Sequence, residues 1–62
     1  MFTRNQTVEI YKDGILQGRG NVITVSNGKV LVGGRWYDNH TGTGIGFSYS
    51  HYVISELDNE ND

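Results

Sequence analysis

Most of the aromatic residues of this chain fall in one stretch, Trp36-Tyr37-Asp38-Asn39-His40-Thr41-Gly42-Thr43-Gly44-Ile45-Gly46-Phe47-Ser48-Tyr49-Ser50-His51-Tyr52-Val53. It contains the only tryptophan, both histidines and three of the four tyrosines. An aromatic pair leads into a loop of small and polar residues, and a glycine-punctuated segment with further aromatics follows. This pattern predicts a β-hairpin with an aromatic face, on which Ile45, Phe47 and Tyr49 share one side.

The segment before this stretch predicts a second hairpin. Asn27-Gly28 is a strong turn signal, because a type I′ turn needs positive φ at both central residues. It separates the apolar runs Asn21 to Ser26 and Lys29 to Gly33. Gly33-Gly34 then permits a bend, after which Arg35 to Asp38 continues as a curved strand or begins a new one. The predicted cross-strand pairs are Val25 with Val30, Ile23 with Val32, and Thr24 with Leu31.

Near the N-terminus, Gln6 to Lys12 alternates apolar and polar residues, which predicts a half-buried first strand. Asp13-Gly14 would suit a two-residue hairpin, but that register sets the apolar Val8 opposite Arg19. A longer, irregular loop through Gly18-Arg19-Gly20 is therefore expected at this point.

Length and composition predict one small all-β domain, residues 1–57, with Val53 to Leu57 as its closing strand. The 62 residues include nine glycines, no proline and no cysteine, so no disulfide is expected. A chain this short buries only about 60% of its surface on folding. The net charge is -2, and three acidic residues lie in Asp58 to Asp62, which predicts an acidic, disordered tail. With no apolar run of about 18 residues, a cytoplasmic protein without membrane contact is expected.

Two stretches resemble SH3 domains. The order of Trp36-Tyr37, a hairpin, and Gly46 to Val53 is similar to the C-terminal half of an SH3 domain, where a Trp-aromatic pair precedes a distal hairpin and a Pro-Ser-Asn-Tyr-Val run. Arg19 to Val25 resembles the segment that enters the second SH3 strand. The resemblance implies a five-stranded SH3-like barrel with a short helical turn near Ser50 to Tyr52. The N-terminal SH3 signature is missing, and Tudor and agenet modules, which share the barrel, are equally similar.

The resemblance also implies a binding site. Trp36, Tyr49 and Tyr52 match residues that line the SH3 peptide groove, and Tyr11 of the first strand is expected to join them. Such aromatic faces bind well because they offer rigid contact area at low entropic cost. The expected function is a non-catalytic module that binds another protein, of the kind that phages or plasmids encode as free-standing modulators of a host protein. The competing interpretation places aromatic rings in the small core, as expected for Tyr37 and Phe47.

A nucleic-acid-binding barrel of Tudor or KOW type is the alternative function. Arg19 and Arg35 would form a small basic strip beside the same rings, if the segments that carry them lie together, and would bind RNA or single-stranded nucleic acid. The remaining cations are few and dispersed. A homo-oligomer is a further possibility, because a small barrel with open strand edges gains stability by association.

Enzymatic and metal chemistry are not expected. Gly42 to Gly46 lacks the Gly-Lys-Ser/Thr ending of a phosphate-binding loop, so its glycines are assigned to turn geometry and to a close crossing of the barrel. His40 and His51 have no cysteine beside them, and only Asp38 lies near one of them in sequence. No paired carboxylates, nucleophile set or cofactor motif is apparent. The prediction is a non-enzyme without metal or cofactor.

Overall fold

The computed structural model describes residues 1–46 and 48–57, which form an all-β fold of five antiparallel strands. Their spatial order is β4-β3-β2-β1-β5, and the sheet curls into a half-barrel. The predicted class and strand number are thus confirmed. Within the described ranges, no helix is long and apolar enough to cross a membrane. The strands are β1 (Thr7–Lys12), β2 (Ile15–Ser26), β3 (Lys29–Val32), β4 (Arg35–Asp38) and β5 (Tyr52–Glu56).

The curl of the sheet is centred on the long strand β2. Its first part pairs with β1 as far as Asn21, and its second part pairs with β3 from Val22 onward. Gly20 precedes this change of partner. A Cβ atom there would lie 3.0 Å from Val32 Cγ1 and 3.2 Å from Ile10 Cδ1. The sheet can therefore bend this tightly because the inner side of β2 carries no side chain at that position.

The first hairpin differs from the expected long loop, and that prediction is wrong. Asp13-Gly14 forms a two-residue turn in which both residues have positive φ, 52° and 80°. A β-bulge then leaves Gln17 without a cross-strand partner and shifts the register by one residue. Val8 consequently lies opposite Gly20 rather than Arg19. The bulge removes the mismatch of apolar and polar residues that argued against a tight turn.

The second hairpin turns at Asn27-Gly28, with φ angles of 52° and 75°, as its sequence predicts. The predicted pairing of Ile23 with Val32 is wrong, because a register shift places Val22 opposite Val32 instead. Ile23 is left 55% exposed, while Val22 is buried. The two confirmed pairs are Val25 with Val30 and Thr24 with Leu31.

The core is apolar and small. Ile10 and Tyr52 pack against it from the side. The N-terminal segment completes it, because the Phe2 side chain is buried and its N–H donates to Asn39 Oδ1 at 2.6 Å. Tyr37 is fully buried, which confirms its predicted place in the core, whereas Phe47 lies outside the described residues. The buried hydrophobic residues are Phe2, Val8, Val22, Val30, Val32, Tyr37 and Ile54.

The connection between β4 and β5 bridges the two edges of the sheet. A Cβ atom on Gly42 would overlap the Ile54 carbonyl oxygen, and one on Gly44 would overlap the Tyr49 carbonyl oxygen. The predicted role of these glycines at a close crossing is confirmed. The bridging hydrogen bonds run from Ile45 N–H to the Trp36 carbonyl (2.9 Å), from Gly44 N–H to the Tyr52 carbonyl (2.8 Å) and from Ile54 N–H to the Gly42 carbonyl (2.8 Å).

The predicted helical turn near Ser50 to Tyr52 is not observed. Residues 48–51 form turns, and Tyr52 is already the first residue of β5, where it pairs with Lys12. Pairing with β1 and the hydrogen bond from Gly44 hold Tyr52 in an extended conformation. The predicted strand face of Ile45, Phe47 and Tyr49 is likewise wrong, since Tyr49 belongs to the turns. The predicted tail, residues 58–62, lies outside the described residues.

Candidate binding surfaces

Strand β4 separates the predicted binding residues onto two faces. Arg35 pairs with the buried Val32, so it lies on the inner face of the sheet together with Tyr37. Trp36 pairs with Leu31 and points to the outer face, because successive side chains of a strand alternate. The predicted aromatic patch therefore consists of two separate surfaces rather than one.

The outer surface is a shallow groove beside Trp36, called here the Trp36 groove. Its volume is about 290 Å³. The Trp36 side chain is 38% exposed, and Ile45, held beside β4 by its hydrogen bond to the Trp36 carbonyl, is 37% exposed. Lys29 adds one positive charge at the start of β3. The groove is lined by Ser26, Asn27, Lys29, Trp36 and Ile45.

The inner surface is a group of aromatic and basic side chains at the mouth of the half-barrel, called here the Arg35 cluster. The Arg35 guanidinium carbon lies 4.4 Å from the centre of the Tyr52 ring and 5.6 Å from that of Tyr49. The two rings meet edge to face, with centres 6.3 Å apart. Lys12 Nζ lies 5.7 Å from the Tyr52 ring centre, and the His51 ring lies 5.1 Å from it. The distances from Arg35 and Lys12 to the tyrosine rings suit cation–π contacts.

Backbone hydrogen bonds fix the two tyrosines of the Arg35 cluster. The Tyr49 N–H donates to the Gly46 carbonyl at 3.1 Å, and the Tyr52 N–H donates to the Tyr49 carbonyl at 3.0 Å. Gly44 packs directly beneath the Tyr49 carbonyl. On the other side, Lys12 reaches the cluster because it is the cross-strand partner of Tyr52. The Arg35 cluster thus depends on the segment between β4 and β5 for the position of Tyr49, and on β1 for the position of Lys12.

Below the cluster, the hydroxyl of Tyr37 is buried and makes no hydrogen bond of good geometry within the described residues. Burial raises the pKa of Tyr37, and the nearby Arg35 guanidinium opposes part of that rise through its charge and its N–H donors. The buried phenol of Tyr37 therefore connects the Arg35 cluster to the core.

Tyr11 and Arg19 lie apart from both surfaces. Tyr11 and Glu9 occupy the outer face of β1, where the Tyr11 hydroxyl donates to Glu9 Oε1 at 3.1 Å. That hydrogen bond raises the pKa of Tyr11. Arg19 lies opposite Glu9 and is exposed on the same outer face, whereas Arg35 is on the inner face. The predicted basic strip from Arg19 to Arg35 is consequently not formed.

Some residues of these surfaces carry no signal that identifies them from sequence alone. Lys12 and His51 join the Arg35 cluster through the pairing of β1 with β5 and through the turns before β5. Ile45 joins the Trp36 groove through one backbone hydrogen bond to β4. Lys12 in particular depends on the pairing of β1 with β5, two strands distant in sequence, which leaves no local pattern.

His40, His51 and Asp38 do not come together as metal ligands. In residues 1–46 and 48–57, no group of three or more histidine, cysteine, aspartate or glutamate side chains could hold a metal ion. His40 is exposed in the turn after β4, where its N–H donates to Asp38 Oδ1 at 2.7 Å. The Thr41 N–H donates to the same oxygen at 3.0 Å, and the bonds from Thr41 and His40 lower the pKa of Asp38. Asp38 therefore shapes a turn.

Comparisons of the chain with protein-family models, with curated proteins and with solved structures found no match.

Proposed function

We propose that this protein is a small non-catalytic module that binds another protein, with Trp36 as its main contact residue. The observation that carries this proposal is the position of Trp36: the largest side chain of the chain lies 38% exposed on the outer face while smaller side chains fill the core. Tryptophan is enriched among the residues that dominate binding energy at protein interfaces. Ile45 and Lys29 beside it provide apolar contact and one charge.

The nucleic-acid alternative has less support from the geometry. Binding to a phosphate backbone depends on several cations that follow one path. Arg19 and Arg35 lie on opposite faces of the sheet, and Lys29 is the cation that lines the Trp36 groove. Each surface thus offers too few positive charges to follow a strand of phosphates.

The test uses Trp36→Ala beside a matched variant, Ile23→Ala. Ile23 is 55% exposed but does not line the groove, so it controls for the loss of any exposed apolar side chain. A partner is isolated from a candidate host lysate, purified, and titrated calorimetrically against wild-type protein and both variants. We expect Trp36→Ala to weaken binding at least about tenfold, because a tryptophan anchor contributes about 2 kcal/mol or more. Ile23→Ala should bind as wild type does.

Two results would contradict the proposal. Equal weakening by both variants would show that exposed apolar area in general, and not the groove, drives association. Binding of an oligonucleotide that falls steeply between about 50 and 200 mM salt would favour the nucleic-acid function instead. Sedimentation at several protein concentrations should accompany these titrations, because self-association through the sheet edges would also remove Trp36 from solvent.

A further inference from the structure

The Arg35 cluster contains two cations without carboxylate partners in the described part of the chain. One charged pair there lies within 4.0 Å, the N-terminal ammonium and Glu56 at 3.6 Å, and it is far along β5 from Tyr52. Arg35 and Lys12 instead contact the same Tyr52 ring. Their charges lie at most about 10 Å apart, since both distances are measured to one ring centre. Like charges at this separation repel each other, and a bound anion would relieve that repulsion.

Arg35 has five N–H donors, and its contact with the Tyr37 hydroxyl uses only part of them. A guanidinium that lies over aromatic rings uses its face for those contacts, while its N–H groups remain in the plane at its edge. Arg35 is half-buried in the corner between Tyr49 and Tyr52, which reduces its hydration and fixes its orientation. A fork of this kind binds a carboxylate with two parallel hydrogen bonds.

We propose that the Arg35 cluster binds a carboxylate of an acidic segment in a protein partner. Arg35 provides the paired hydrogen bonds, and Lys12 adds a second positive charge beside the same ring. Tyr49 and Tyr52 form the walls of the site. The choice of a protein as the partner rests on the function proposed above, but the anion site itself does not depend on Trp36, which lies on the other face of β4.

Other occupants fit the geometry less well. A nucleic acid presents a row of phosphates. Arg19, the other arginine of the predicted basic strip, lies on the outer face of β2 and so does not extend the cluster along such a row. The acidic residues 58–62 of the chain itself follow Leu57, at the opposite end of β5 from Tyr52. Five residues span at most about 17 Å, which is about the length of β5, so this segment would reach Arg35 only if it ran fully extended back along the whole strand.

The experiment titrates ¹⁵N-labelled full-length protein with a hexaglutamate peptide and follows the backbone amides and the Arg35 Nε–H by NMR. The control probes are hexaglutamine, inorganic phosphate and a short oligothymidylate. We expect saturable shifts confined to Arg35, Lys12, Tyr49 and Tyr52 with hexaglutamate at millimolar concentration, and none with hexaglutamine. Trp36→Ala should bind the peptide as wild type does, so that failure of this site and failure of the Trp36 groove are distinguishable.

The matched variants are Arg35→Gln and Arg19→Gln, which remove one arginine charge from the inner and outer faces respectively. Arg35→Gln should weaken hexaglutamate binding at least about tenfold, because charge-assisted hydrogen bonds are lost, whereas Arg19→Gln should have no effect. If Arg35→Gln does not fold, Lys12→Gln replaces it, with an expected loss of about threefold from the second charge.

Four outcomes would overturn the proposal: no saturable shift at Arg35 in the wild type, equal weakening by both arginine variants, tighter binding of oligothymidylate than of hexaglutamate, or equally tight binding of phosphate. The third would assign the cluster to nucleic acid, and the fourth would make it a site for small inorganic anions.

Discussion

The inner and outer faces of β4 carry neighbouring residues with opposite roles. Tyr37 on the inner face is fully buried against the core, and Arg35 on that face lies against Tyr52. Trp36, between them in sequence, lies on the outer face beside a groove. A single four-residue strand thus supplies both the core and two separate surfaces.

The difference shows how a small half-barrel can place neighbouring aromatic residues both in its core and on its outer surface. The chain has little interior volume, so one ring from β4 is enough to fill its part of the core. Strand alternation then places the next ring outside without any loop or insertion. An aromatic run in such a sequence does not therefore define one patch, because adjacent rings are separated by the thickness of the sheet.

The sharpest test of this comparison is to truncate each ring of the Trp36-Tyr37 pair in turn. Tyr37→Ala should lose about 3–5 kcal/mol of unfolding free energy, because it leaves a cavity in the core. For a domain of 62 residues this loss is a large fraction of the total stability, which is about 3–9 kcal/mol. Trp36→Ala should lose only about 1 kcal/mol, because the tryptophan packs on one side alone. Urea unfolding followed by far-ultraviolet circular dichroism measures both values.

Similar losses for the two variants would break the comparison. In that case Trp36 would be a structural residue, and its exposed fraction would no longer support a binding role. A cooperative, near-normal transition in Tyr37→Ala would equally show that the inner face of β4 is not essential to the core.

A smaller effect is expected at the segment that bridges β4 and β5. The φ angle of Gly44 is not positive, so an alanine at this position causes no backbone strain. Gly44→Ala therefore tests only the close approach to the Tyr49 carbonyl. The added methyl group must displace the turn that carries Tyr49, at a cost of about 1–3 kcal/mol. Thr43→Ala, at the exposed neighbouring position, removes only an exposed hydrogen bond from the Thr41 hydroxyl (3.1 Å) and should change stability by less than about 1 kcal/mol. Urea unfolding gives both costs, and NMR shifts report any movement of Tyr49.

If Gly44→Ala matched Thr43→Ala in stability and left Tyr49 unmoved, the bridging segment would be loose rather than closely packed. The Arg35 cluster would then lose one of the two supports that hold its rings together.

Much of the fold could be predicted from local signals. Asn27-Gly28 has the residues that a tight hairpin requires, and the apolar alternation around it indicates strands. The two bulges could not be predicted in this way. Gln17 and Ile23 are displaced from their regular registers because the sheet must curl around Gly20, and that curl results from packing between strands distant in sequence.

The candidate surfaces show the same division. Trp36, Arg35, Tyr49 and Tyr52 could be named as candidates because aromatic and basic side chains are conspicuous in a small sequence. The alternation of β4 already contained the information that Arg35 and Trp36 face opposite ways. By contrast, the contact of Lys12 with Tyr52 depends on the β1–β5 register, which closes a loop of about forty residues. No short pattern encodes a contact over that distance.

The smallest expected effect concerns the Tyr37 hydroxyl. Tyr37→Phe removes the hydroxyl and keeps the ring, so it distinguishes their contributions to stability. Tyr37→Phe should change stability at pH 7 by less than about 1 kcal/mol, because the buried hydroxyl makes no hydrogen bond of good geometry within the described residues and has only the nearby Arg35 guanidinium to lose. Burial raises the folded-state pKa of Tyr37 above the ordinary value of 10.0. Above about pH 10 the unfolded chain releases this proton while the folded protein retains it, so the free energy of unfolding falls as pH rises. Tyr37→Phe lacks this contribution and should become the more stable protein as urea unfolding is repeated from pH 7 to pH 11. Parallel stability curves would show that the hydroxyl reaches solvent, and that the inner face of β4 is open beneath Arg35.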